Sequence, residues 1–109
     1  MAKPKSPEFF ALIAGRFKAL ADPARLRILN AMRSGERTAP ELVEETGLSQ
    51  AGVSKHLAML HALGYVKRRK EGLFAYYALA DRGIFQLCDL MCGRINAEIK
   101  ARRRLLKAR

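Results

Sequence analysis

Cysteine is scarce in this chain: only Cys88 and Cys92 occur in 109 residues, four positions apart. That count excludes a secreted disulfide framework and a structural zinc finger, and the spacing is not the Cys-x-x-Cys of a zinc ribbon. Long apolar runs are missing too. The longest, Phe9 to Ala14 and Leu57 to Leu60, fall far short of the roughly 20 residues that span a bilayer, so no membrane partner is expected. The segment Met1 to Pro7 leads into neither a long enough apolar run nor a small-residue cleavage site. No secretory signal is therefore expected, and the chain is placed in the cytoplasm. There is no carboxylate pair, Ser-His-Asp set, phosphate loop or metal-ligand cluster of catalytic type, so no catalytic residue is nominated and an enzyme is not expected. Acids are few as well, 10 Asp and Glu against 21 Lys and Arg. The resulting net charge of +11 asks for a polyanionic partner: DNA, RNA or an acidic surface.

What is present is half hydrophobic and spread along the chain, which argues against disorder. The length suits one domain with a modest core, and chains this short commonly complete their burial by dimerising. Residues 1–7, with Pro4, Pro7 and two lysines, read as a flexible basic arm; residues 8–109 read as a single domain. Phe9, Phe10, Ile13, Phe17 and Leu20 recur at helical spacing over about 8–20. Asp22-Pro23 is a helix start, an acid cap followed by proline in the first turn, and Ser34-Gly35 ends that helix. Thr38-Ala39-Pro40-Glu41 is a capping box, Gly47 supplies a C-terminal cap, and Ser49 caps a fourth helix reaching about Ala62. Two short helices joined by three residues, about 39–62, make a helix-turn-helix. From Tyr65 to Leu79 the pattern becomes an extended ribbon broken at Glu71-Gly72, a β-hairpin. A last helix, about 84–105, carries Ile84, Leu87, Cys88, Met91, Cys92, Ile95 and Ile99 on one face.

A helix-turn-helix followed directly by a hairpin is the winged form, mainly α with a small β-hairpin, whose second helix enters the major groove of DNA. Groove entry asks for a capped helix of small and polar residues, and Ser49, Gln50, Ala51, Gly52, Ser54, Lys55 and His56 supply it. Ala51 and Gly52 let the backbone approach closely. Gln50 has the paired donor and acceptor that match an adenine edge, Ser54 serves base or phosphate, and Lys55 reaches guanine or phosphate. His56 is assigned to backbone contact or to support. In the wing, Lys67, Arg68, Arg69 and Lys70 follow one another, so two cations face DNA whichever way the strand alternates. The same residues would also serve as the wet face of an amphipathic helix and as charged protection of an edge strand; the order of the elements favours DNA.

These segments resemble the ArsR/SmtB family of winged-helix repressors over roughly Phe9 to Asp81. The residues that carry the likeness are Ala19 to Leu29, Thr46-Gly47-Leu48-Ser49-Gln50, Val53-Ser54-Lys55-His56-Leu57, and Glu71-Gly72 through Tyr76-Tyr77. The resemblance implies a homodimer through the first and last helices, with Phe9, Phe10, Ile13, Phe17, Ile84, Cys88, Met91, Cys92, Ile95 and Ile99 at its interface. It also implies a partly palindromic operator in double-stranded DNA and release by an inducer. The Cys-Val-Cys run of the metalloid-sensing branch is replaced here by Thr38, Ala39 and Pro40, and the last helix lacks the histidines of the zinc-sensing branch. Cys88 and Cys92 remain as the candidate metal ligands. Helical neighbours four apart, with Cβ atoms about 5 to 6 Å apart, are too distant for an unstrained disulfide but can share a thiophilic metal or metalloid. Three readings of the pair stay open: packing, metal sensing and thiol redox. Two other functions also stay open, a redox-responsive or inducer-independent repressor and a non-specific chromosome-associated protein.

Overall fold

The computed structural model describes residues 6–107. Their order is α1 (Pro7–Leu20), α2 (Pro23–Ala31), β1 (Arg37–Thr38), α3 (Ala39–Thr46), α4 (Gln50–Ala62), β2 (Val66–Glu71), β3 (Phe74–Leu79) and α5 (Ile84–Lys107). The first three helices start on hydrogen-bonded caps. Ser6 accepts from the Phe9 amide at 3.2 Å with Pro7 behind it, and Asp22 accepts from the Ala24 and Arg25 amides at 2.8 and 3.1 Å. Thr38 and Glu41 form a reciprocal capping box. Gly47, at φ +74°, closes α3 in the left-handed region, where a Cβ would clash with the backbone.

The core is one cluster to which six elements contribute: Ile28 and Leu29 from α2 with Met32 at its C-terminal cap, Leu42 from α3, Val53, Leu57 and Leu60 from α4, and Val66 and Leu79 from β2 and β3. The start of α5 adds Ile84 and Phe85. Each fully buried aliphatic side chain contributes about 1.5 to 3 kcal/mol relative to exposure. α1 is attached more loosely. Arg16 donates to the Leu63 carbonyl, and the Tyr65 hydroxyl donates back to the Arg16 carbonyl at 3.0 Å.

Several boundaries differ from expectation. Pro7 opens the first helix and Ser6 caps it, so neither belongs to an arm, while residues 1–5 of that arm lie outside the described residues. A third strand, β1, pairs with β3 through Arg37↔Tyr77 and Thr38↔Tyr76, giving an antiparallel sheet of order β1-β3-β2. It is too short to show any alternation in sequence. Arg37 fastens its approach, donating to the Gly35 and Glu36 carbonyls and the Ser34 hydroxyl. The hairpin turns at Gly72-Leu73 and not at Glu71-Gly72, because Glu71 still pairs with Phe74. Gly72 takes φ +61°, which suits glycine at the first position of a two-residue hairpin turn. Ile84, expected at a dimer contact, is 7% exposed and belongs to the core of its own chain.

Thr38→Ala removes the cap and the side-chain bond to Glu41, and is expected to cost about 1 kcal/mol of stability in urea unfolding. The Asp22 carboxyl is held below its ordinary pKa chiefly by the Arg25 amide, and that of Glu41 chiefly by the Thr38 amide. A lowered folded-state pKa gives stability that is present above the unfolded value, about 3.9 to 4.3, and is lost as acid approaches the folded value. Stability should therefore fall below about pH 4, and by less in Thr38→Ala than in the wild type, when unfolding is compared at pH 6 and pH 3.

Candidate nucleic-acid interface

Helix α4 is divided lengthwise. Val53, Leu57 and Leu60 are buried, while Ser49, Gln50, Ala51, Ser54 and Lys55 are exposed on the opposite side. Ser49 caps the helix by accepting from the Gly52 amide at 3.0 Å. A Cβ on Gly52 would stand 3.0 Å from that same oxygen, so glycine at this position serves the cap as well as any close approach. The turn before α4 is fastened from three directions. The Thr46 hydroxyl donates to the Leu42 carbonyl at 2.6 Å and accepts from the Leu48 amide at 3.3 Å, and Arg27 donates to the Thr46 carbonyl.

His56 is half-buried on the flank of α4. Its Nδ1 lies 3.4 Å from Arg25 Nη1, and a guanidinium can only donate, so this contact selects the tautomer with a bare Nδ1. Arg25 also donates to the Ala19 carbonyl at 2.5 Å and faces Asp22 at 3.9 Å. One guanidinium thereby joins the end of α1, the start of α2 and the middle of α4. In sequence Arg25 stands inside a motif with no evident task; a charged residue three places after an Asp-Pro cap is the one signal that marks it.

The wing cations are not equivalent. Arg69 reaches Glu36 at 2.6 Å and Glu71 at 2.5 Å, and lies over the Tyr76 ring at 4.6 Å. Those carboxylates, Glu36 first, raise its pKa beyond its already high value. Lys67, Arg68 and Lys70 are exposed and have no such partner among the described residues. At the tip, Leu73 is 98% exposed, an apolar side chain held out by the turn that the charge count did not reveal.

The residues expected at a dimer contact fall on the outer faces of the terminal helices. Phe9, Phe10 and Phe17 on α1 and Met91, Ile95 and Ile99 on α5 are exposed, and Ile13 is half-buried. Between the two helices is an open groove of about 430 Å³ lined by Ile13, Phe17, Leu20, Tyr65, Ile84 and Leu87. Cys88 is half-buried against the core and Cys92 is exposed; both are free thiols. Beside them Arg33, near the end of α2, pairs with Asp89 at 2.5 Å and lies 4.3 Å over the Phe85 ring. Arg82 donates to the Arg33 carbonyl at 2.8 Å and flanks the same ring. The hydrogen bond to Asp89 raises the Arg33 pKa most, and the Asp89 charge adds to it. The same bond lowers the Asp89 pKa.

The profile for bacterial regulatory proteins of the arsR family matches residues 22–68, the stretch from the α2 cap through the helix-turn-helix into the wing. The HTH-type transcriptional regulator NmtR of Mycobacterium tuberculosis is 36% identical over 86 residues, covering 79% of this chain and 72% of that one. The chain belongs to the ArsR family. It is also 45% identical over 74 residues to a probable mercury resistance operon repressor of Streptomyces lividans, covering 68% of this chain and 59% of that protein. A homodimeric winged helix-turn-helix DNA-binding domain from Mycobacterium bovis superposes with a TM-score of 0.75 at 28% identity, covering 93% and 95% of the two chains. As an ArsR-family member the protein is a winged helix-turn-helix transcriptional regulator and not an enzyme. No helix among the described residues is long and apolar enough to cross a membrane.

Arg25→Met should leave the Ala19 carbonyl, Asp22 and His56 without their common donor. The expected loss is about 1.5 to 3 kcal/mol in denaturant unfolding, with displaced His56 ring resonances in NMR spectra. Lys55→Met, at an exposed position, should stay within about 0.5 kcal/mol of the wild type.

Proposed function

We propose that this ArsR-family protein is a homodimeric repressor that works in the cytoplasm, reads a partly palindromic operator with α4, and steadies itself on the flanking backbone with its wing. The observation that carries this reading is the division of α4. Gln50, Ser54 and Lys55 stand exposed on a Ser49-capped helix whose other side is locked into the core, beside a strand offering Lys67, Arg68 and Lys70. A purely architectural binder needs charge but no such small, polar, capped reading face. The second copy is expected on the exposed apolar faces of α1 and α5, because leaving Phe17, Met91, Ile95 and Ile99 in water forfeits burial that a small domain needs.

Selection of duplexes from a random-sequence pool tests the reading directly. The expected product is a pair of inverted half-sites whose centres lie about one helical turn, 34 to 36 Å, apart. Gln50→Ala or Ser54→Ala should weaken the selected duplex more than a scrambled one, by about 1 to 3 kcal/mol for each base edge that goes unread. Arg68→Ala should weaken both and lower the salt slope by about 0.9 for each phosphate left unneutralised. Arg69→Ala should lower the slope less, since Glu36 and Glu71 already neutralise it. Recovery of no preferred sequence would leave the non-specific chromosome-associated reading.

The inducer we propose is a thiophilic metal or metalloid ion held by Cys88 and Cys92. Those two thiols form a small donor set: among the described residues no third His, Cys, Asp or Glu joins them, and Asp89 is engaged by Arg33. The set suits a soft ion satisfied by two sulfurs; an ion needing four ligands would require the second chain's pair as well. Mercury resistance in the name of the Streptomyces lividans protein points the same way. An ion shifts DNA binding only if it binds one arrangement of α5 better than another. Titration with mercuric ion, cadmium or arsenite should release wild type from the selected duplex, while a Cys88→Ser, Cys92→Ser double variant stays bound. Release by oxidant alone would select the redox reading, and an identical response of the two proteins would reduce the cysteines to packing.

A further inference from the structure

Near its end α5 carries a charge that neither the reading helix nor the wing accounts for. Between Lys100 and Lys107 stand five cations, Lys100, Arg102, Arg103, Arg104 and Lys107, with no acid among them, in a chain whose net charge is +11. All five are exposed, and none makes an ion pair or side-chain hydrogen bond with any described residue. Four of them, Lys100, Arg103, Arg104 and Lys107, follow the i, i+3, i+4, i+7 spacing and so share one face of the helix. The apolar line of Met91, Ile95, Ile99 and Leu106 runs roughly 120° round from that face, at about 100° per residue. Covering the apolar line with a second copy therefore leaves the basic line open. Cations near a helix C-terminus also complement its dipole, but that effect is confined to the last turn, where Arg104 and Lys107 already supply it. Lys100 and Arg103 lie outside it.

We propose that this basic face of α5 grips the phosphates of duplex DNA outside the operator, giving each protomer a second, sequence-independent hold. The inference rests on the reading of α4 and the wing as a DNA-binding surface. Charge complementarity names the partner class, and composition selects DNA over a lipid surface. A helix lying in a membrane interface needs its own apolar face of leucine and aromatic residues, whereas residues 100–107 hold only Ala101, Leu105 and Leu106. Two of the four cations on that face, Arg103 and Arg104, are arginines, whose planar fork matches phosphate oxygens.

The test compares the full-length protein on two duplexes: the selected core alone, and the same core extended by about one helical turn of random sequence at each end. Wild type is expected to bind the extended duplex about tenfold or more tightly than the core, with a salt slope steeper by about 0.9 for each further phosphate neutralised. The variant K100Q/R103Q/R104Q/K107Q should bind the two duplexes alike and match wild type on the core. R103K/R104K, which keeps the charge, should retain the preference for the longer duplex. Equal affinities and equal slopes for wild type on the two duplexes would overturn the proposal, and this comparison stands even if the glutamine variant misfolds. An undiminished preference in a folded glutamine variant would also overturn it, as would charge-dependent pelleting with phosphatidylserine vesicles in place of any effect of flanking DNA. Failure of wild type to bind the core at all would instead sink the operator reading.

Discussion

Val53, Leu57 and Leu60 can be buried only if α4 lies against α2, α3 and β2, and most of the molecule follows from that requirement. A helix whose inner stripe is locked in this way has no freedom to rotate, so its other face is presented at a fixed angle. The residues that a DNA groove would meet are thus aimed by residues that DNA never touches. The same stripe recruits Val66 and Leu79, which fixes the register at the base of the hairpin and so the direction in which the wing projects. Core and proposed interface are two sides of one helix.

Charge in this chain is sorted by structure. Arg25, Arg27, Arg33, Arg37, Arg69 and Arg82 bridge elements, donating to carbonyls, carboxylates or a histidine ring. Guanidinium groups suit such work because five donors on a rigid plane can hold several acceptors at once. Lys55, Lys67, Arg68, Lys70 and the cations near the end of α5 are left without internal partners among the described residues. The net charge of +11 therefore conceals two populations, and the bridging one holds the helices in the positions from which the other can act.

Much of this was legible in the sequence because it is local. Asp22-Pro23, the Thr38 to Glu41 box, Gly47 and Ser49 mark helix ends through hydrogen bonds only two to four residues long, and the structure has those ends where the caps put them. The exposed polar side of α4 followed from the same periodicity. What escaped depends on distant partners. Glu36 neutralises Arg69 from 33 positions away, Arg25 meets His56 across 31, and β1 exists only because β3 offers it an edge. Ile84 sits on the apolar line of α5 and yet turns into the core, because the helix enters the domain at that point before leaving it. Periodicity identifies a face without saying where along its length the neighbour changes.

The clamp of Arg33 on Asp89 and Phe85 has a mechanical side. It pins α5 near its beginning, and about 27 Å of helix extends beyond Asp89 at 1.5 Å per residue. A rod anchored at one end acts as a lever. With Cys88 and Cys92 on either side of the fulcrum, a tilt of about 5° there displaces the far end by roughly 2 Å over that length. In the proposed homodimer the two displacements would oppose one another across the two-fold axis, so a small tilt at the pivot would change the separation of the two domains.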